Sequence, residues 1–324
     1  MELLTLQQDK APNLILETTE HKPFILANTL ASNINELRNN HLIPVFVKDN
    51  QPVISQADFV ELTSDISNHI FKNEIVLSPN IRVSHPIKGR IPEAKDKPAH
   101  LLLEEEKTIY YERMAFVIEI PSISDTINGN RLSLTIGGIK AYNLDNMYSR
   151  KGTEEHFKLF IGFQNKVCTN LCIATDGLKT DVAVRSLNEL TDAIYGLIQN
   201  YNAKSHLEQM GQLMEHDLTE HQFAQLIGKA RMYKHLPPKH RKHLQELSFG
   251  DTQLGMVVRE YYNDEAFCRN ADGSINLWKL YNLFTGANKS SYIDTFFDRG
   301  LNAFSFIKNI SSALANKQCN WFLD

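Results

Sequence analysis

The sequence has no uninterrupted apolar run approaching the roughly 18 residues of a membrane-spanning helix. Its longest apolar clusters, such as Met114–Ile120, have the length of a strand. No membrane partner is expected. The N-terminal stretch Met1–Lys22 lacks the basic start, continuous apolar block and small-residue cleavage site of a secretory leader, so the expectation is a soluble, cytoplasmic protein. Cysteine is scarce. Four in 324 residues, with Cys268 and Cys319 far from the Cys168/Cys172 pair, are too few for a disulfide scaffold. The net charge of −4 gives no global pull on polyanions and leaves any such affinity to local clusters. Catalytic signatures are missing as well: no glycine-rich phosphate loop, dinucleotide fingerprint, His-Glu-x-x-His or Gly-x-Ser-x-Gly occurs. No cofactor is implied, and an enzyme is the less favoured class.

What is present has the patterning of an α+β protein with a mostly antiparallel central sheet and a helical C-terminal region. With 42% hydrophobic and 22% charged residues, the chain can bury a substantial core. Three regions are expected, possibly within one composite domain: an N-terminal arm and ββα unit over 1–73, an antiparallel β-rich region over 74–178, and a helical region over 179–324. In the first, Ile34–Leu37 ends a short helix starting near Ala27; Ile43–Val47 and Pro52–Ile54 form a hairpin around Lys48–Gln51. Ser55 and Asp58 then cap a helix whose apolar face is Phe59, Leu62, Ile66 and Ile70.

In the second region Val76, Ile81 and Val83 alternate with polar neighbours, and Lys107–Ile120 and Arg131–Tyr142 read as strands, with a turn at Asn128-Gly129 between them. His156–Phe163 and Val167–Ala174 form a further pair. After Gly177 the texture turns helical. Ser186/Glu189 and Thr219/Gln222 have the spacing of capping boxes, and further helices are expected at Asp251–Tyr262, Ile275–Phe284 and Tyr292–Leu314.

The densest charge anomaly is the stretch from Gly228 to Leu244, where Lys229, Arg231, Lys234, Lys239, Arg241 and Lys242 supply six positive charges with no acidic residue among them. Such a run can neutralise phosphates and release counterions, and Tyr233 is a candidate for stacking on an unpaired base. A solvated basic helix end is the alternative, since cations there oppose the helix dipole. A second basic stretch carries Arg82, Lys88 and Arg90 from a strand into a loop, where phosphate contacts are commonly placed.

Glu104–Glu106, Glu112, Glu119 and Asp125 raise a metal-dependent nuclease as a competing class, because clustered carboxylates can hold divalent ions. Glu112 and Glu119 are an odd number of residues apart, so a regular strand would put them on opposite faces. Cys168 and Cys172 read as small buried residues, and His216 and His221 straddle a helix boundary, which leaves no metal site expected.

Several blocks carry a family resemblance: residues 43–61 (IPVFVKDNQPVISQADFVE), 81–98 (IRVSHPIKGRIPEAKDKP), 110–123 (YYERMAFVIEIPSI) and 160–177 (FIGFQNKVCTNLCIATDG). Together they resemble the bacterial family called domain of unknown function 3871, over most of the chain. Lys166–Asn170 and Asn276–Thr285 also resemble two short blocks of the phage/plasmid-like domain of unknown function 932. The resemblance implies a mobile-element setting, in which DNA replication, annealing and repair factors are frequent. An antiparallel sheet flanked by helices with basic loops along a groove is also the layout of single-strand annealing proteins, many of which form homo-oligomeric rings. The leading expectation is therefore a non-enzymatic partner of nucleic acid, single-stranded DNA in particular. A nuclease or a protein-interaction module are the alternatives.

Overall fold

The computed structural model describes residues 23–40, 43–44, 54–94, 97–143 and 154–324. Three long strands carry it: β6 (Arg113–Ile127), β7 (Asn130–Ala141) and β8 (Glu155–Asn165). β6 and β7 turn at Asn128-Gly129, both with positive φ (50° and 73°), the conformation for which this dipeptide is suited. β1 (Leu30–Ser32) and β3 (Asn80–Val83) extend the sheet on one side and β10 (Leu178–Val184) on the other, giving the antiparallel order β1-β3-β6-β7-β8-β10, with β9 (Leu171–Cys172) also paired to β8. A smaller sheet has the order β2-β4-β5, from β2 (Ile43–Pro44), β4 (Pro86–Arg90) and β5 (Lys107–Tyr111).

Alternation along the strands gives the main sheet two apolar faces. Met114, Phe116, Ile118, Leu134, Ile136, Phe157 and Leu159 enter the larger core. Ala115, Val117, Ile139, Ala141 and Phe160 point the other way, onto Phe24, Ile25, Ile293, Phe296 and Phe297. A sheet buried on both sides needs helices on both sides. Helix α1 (Ile34–Asn40) leads in, and α2 (Gln56–Ile70) covers the inner face. The capping box of α2 forms as expected, Ser55 Oγ accepting from Asp58 N at 3.0 Å and Asp58 Oδ2 from Ser55 N at 3.0 Å. Phe59 packs edge-on against Phe116 and Phe157, over Gly138, where any Cβ would sit 2.3 Å from the Phe59 ring.

The C-terminal region contributes α3 (Leu187–Asn200), α4 (Ala203–Gln212), α5 (Glu220–Tyr233), the short α6 (Pro238–Arg241), α7 (Asp251–Asn263), α8 (Leu277–Asn288) and α9 (Ile293–Asn316). The two-residue strands β11 (Asp217–Leu218) and β12 (Ile275–Asn276) pair with each other. The first half of α9 lies on the outer face of the sheet, while Phe304, Phe306, Ile307 and Ile310 belong to the larger core.

The α+β class, the antiparallel sheet and the helical C-terminal region agree with the sequence reading, and several details add to it or differ from it. No helix starts near Ala27; Leu30–Ser32 pairs with β3 and the helix begins at Ile34. Ile43–Pro44 pairs with β4, and residues 45–53 of the expected hairpin lie outside the described residues. Lys107–Ile120 divides at Glu112, because β5 leaves the main sheet to join β4. Val167–Ala174 keeps only the two paired residues of β9, since Thr169 turns the chain with φ 57°. The sheet runs on to Val184, past the boundary at 178, and α4 is a helix that periodicity did not announce.

Two buried polar pairs stand out in this core. Lys140, fully buried, lies 2.8 Å from Glu155, whose other oxygen accepts from Ile54 N at 3.1 Å, and its ammonium stands 4.1 Å from the centre of the Phe157 ring. His206 Nδ1 is 2.8 Å from the Tyr201 hydroxyl, and burial pulls its pKa down to about 3, so the ring is neutral.

Candidate nucleic-acid interface

Helix α5 buries Phe223, Leu226, Ile227, Ala230 and Tyr233, which fixes Lys229, Arg231 and Lys234 on its outward side. The chain then turns through Pro237-Pro238, with Pro238 at the first position of α6, where its missing N–H is no loss. Leu236 and Leu244 pack against the core at either side of α6 and anchor the segment between them. Lys239 and Lys242 are exposed and Arg241 is half-buried. Among the described residues, no ion pair or hydrogen bond engages the side chains of Lys234, Lys239, Arg241 or Lys242.

The rest of the basic stretch is engaged. Arg231 Nε lies 3.0 Å from Asp251 Oδ1, an exposed pair that water and salt weaken. Lys229 donates to the Asp324 backbone oxygen at 2.6 Å and stands 5.3 Å from the centre of the Trp321 ring. Tyr233 is 7% exposed, its ring 5.9 Å from that of Phe322, so it is a core residue and not the expected stacking platform. The half-buried ring beside the basic helix is Trp321. Sequence reading missed it because Trp321 is about ninety residues from Lys229 in sequence, and the only local signal was the aromatic pair Trp321-Phe322.

The second basic stretch has a different character. Arg82 donates to Thr29 O at 2.6 Å and to Thr29 Oγ1 at 2.9 Å from Nη2, tying β3 to the segment before β1; burial lowers its pKa. Arg90 is 4% exposed and donates to the backbone oxygens of Ala94, at 3.2 Å, and Lys97. These two guanidiniums hold backbone together and are not presented to a ligand. Lys88 alone of the three is exposed.

Nor do the two stretches meet. The β3–β4 turn reaches the start of α9 through Arg113, whose N–H donates to Ser84 Oγ at 3.1 Å and whose Nε is 3.6 Å from Asp294. The end of α5 reaches α9 through Tyr233, Phe322 and Phe306. Asp294 and Phe306 are twelve residues apart on one helix, or about 18 Å. The candidate surface is therefore the α5–α6 corner.

The carboxylates of the nuclease alternative are placed apart. Glu119 accepts from Ser133 Oγ at 2.8 Å and pairs with Lys166 at 2.6 Å. Glu112 falls between β5 and β6 and faces Arg113 at 3.4 Å. Among the described residues there is no group of three or more His, Cys, Asp or Glu side chains that could hold a metal ion. Cys172 is buried, and burial pushes its thiol pKa up. No helix among the described residues is long and apolar enough to cross a membrane.

No curated protein and no solved structure matches the chain. The family described as "Domain of unknown function, B. Theta Gene description (DUF3871)" matches residues 10–323, nearly the full length. The chain thus belongs to the domain of unknown function 3871 family, and the α+β fold with its exposed cationic corner is a description of a member of that family.

Proposed function

We propose that this protein binds nucleic acid through the phosphate backbone at the α5–α6 corner, single strands in particular, and performs no chemistry on them. The observation that carries the reading is the set Lys234, Lys239, Arg241 and Lys242: four cations on one short anchored segment, without a carboxylate partner among the described residues. A cation already paired must give up that partner before it can hold a phosphate, whereas an unpaired one gains the full benefit of counterion release. Because the whole chain has a net charge of −4, this attraction is local and strongly screened by salt. Trp321, with Lys229 beside it, takes the place of Tyr233 as the aromatic ring next to the backbone-binding surface.

The test is fluorescence anisotropy with a labelled single-stranded oligonucleotide between about 50 and 200 mM salt. Four phosphate contacts give a slope of about −3 in log affinity against log salt, at about −0.7 per contact. The triple variant K239E/R241E/K242E lowers affinity at least about tenfold at the low-salt end and flattens the slope. Absence of binding at about 50 mM salt overturns the proposal.

A further inference from the structure

The segment between α7 and α8 holds a second arrangement, unrelated to the basic corner. α4 and α5, and again α7 and α8, are helices joined by loops, and the two loops pair through β11 and β12, with Leu218 opposite Ile275, both fully buried. A calcium-binding EF-hand loop has twelve residues, a glycine at the sixth for a sharp turn, and oxygen ligands that include the first, third, fifth and twelfth. Laid on Cys268–Lys279, the glycine falls on Gly273, with φ 84°, and the third and fifth positions on Asn270 and Asp272. The ninth falls on Asn276, which caps α8 by accepting from Lys279 N at 2.8 Å. The first and twelfth depart from the pattern, being Cys268 and Lys279.

The twelfth residue nonetheless reaches back into the loop. Lys279 Nζ donates to the backbone carbonyl oxygen of Cys268 at 3.1 Å and to Asn270 Oδ1 at 3.0 Å, the second of these being the side-chain oxygen of the third position. We infer that Cys268–Lys279 is a calcium-type loop that carries its cation covalently, the Lys279 ammonium resting on the third-position oxygen that a divalent ion would otherwise take and on the Cys268 carbonyl beside it. One positive charge needs fewer carboxylates than two. That accounts for the thiol at the first position and for Asp272, which is turned back onto its own loop with Oδ1 accepting from Ser274 N at 2.9 Å and Ser274 Oγ at 2.7 Å. The consequence is a pair of helices whose closure is independent of calcium.

Terbium luminescence tests this in the full chain, since Trp278, the eleventh residue of the loop, and Tyr261, whose hydroxyl donates to Gly273 O, serve as sensitisers. The wild type gives no saturable signal, and its melting temperature is the same in calcium and in chelator. Lys279→Glu gains one terbium site, displaced by calcium, with a dissociation constant on the order of 10⁻⁴ to 10⁻³ M. Adding Cys268→Asp tightens it at least about tenfold by supplying a second carboxylate. Folded K279E and C268D/K279E proteins without a terbium site overturn the inference, as does a wild-type loop that binds as tightly as K279E. If K279E folds in neither calcium nor chelator, Lys279→Gln decides: it keeps the chain length and offers a neutral oxygen, so weak terbium binding supports the inference and none overturns it.

Discussion

The two basic stretches look alike as sequence and differ as structure. Around β3 and β4, Arg82 and Arg90 point into the protein and satisfy backbone oxygens of Thr29, Ala94 and Lys97. Around α5 and α6, Lys234, Lys239, Arg241 and Lys242 point out and satisfy nothing among the described residues. The planar guanidinium fork, with five donors, can gather several carbonyls at once, which suits it to clamping irregular chain. Lysines on a helix end have a long stem and open water around them. Counting cations therefore identifies candidates for a polyanion surface, and what each cation already holds decides among them.

The comparison breaks first, and hardest, at the most buried cation. Replacing Lys140 by Met leaves the Glu155 carboxylate without its 2.8 Å partner in a buried site, and about 3–5 kcal/mol of unfolding free energy is lost in urea titration. Removing Glu155 as well, as Lys140→Met with Glu155→Leu, recovers part of the loss, because the uncompensated charge has gone too.

Next comes the clamp. Arg90→Met removes a charged donor from two backbone oxygens, worth roughly 3 kcal/mol at about 1.5 for each bond. Equal destabilisation by Arg241→Met would erase the distinction between the two stretches.

A third measurement follows the pH. His206 is neutral in the fold with a pKa of about 3, below the ordinary value of 6.5, so the unfolded chain binds the extra proton as the pH falls through 6.5. Stability is fully present above 6.5 and declines by about 1.4 kcal/mol per pH unit down to about 3, or about 2 kcal/mol between pH 7 and 5. His206→Gln removes that share of the slope. The smallest effect belongs to the proposed interface: Arg241→Met and Lys242→Ala leave the urea midpoint within about 0.5 kcal/mol of the wild type, while oligonucleotide binding falls.

Much of this architecture was legible from local signals. Ser55 with Asp58, and Thr219 with Gln222, started helices where the capping spacing said they would, because a cap is a contact over three residues. Asn128-Gly129 placed the long hairpin for a similar reason, its turn being closed within four residues. The failures were long-range. Nothing near Glu112 announces that β5 departs to pair with β4, and nothing in Leu178–Val184 distinguishes an edge strand from the lead-in to a helix. Tyr233 was misread because a helix exposes or buries a residue according to what lies opposite, and that was Phe322.

The amino-acid sequence by itself determined the class of fold, the periodic segments that build it, the caps and turns that bound them, and which stretches carry surplus charge. All are set by neighbours within a few residues. Only the tertiary structure decided which cations are spent on carbonyls and carboxylates and which aromatic ring lies beside the basic helix. Those outcomes depend on pairings between distant segments, where burial raises the cost of an unsatisfied group and so selects a partner that local pattern cannot name.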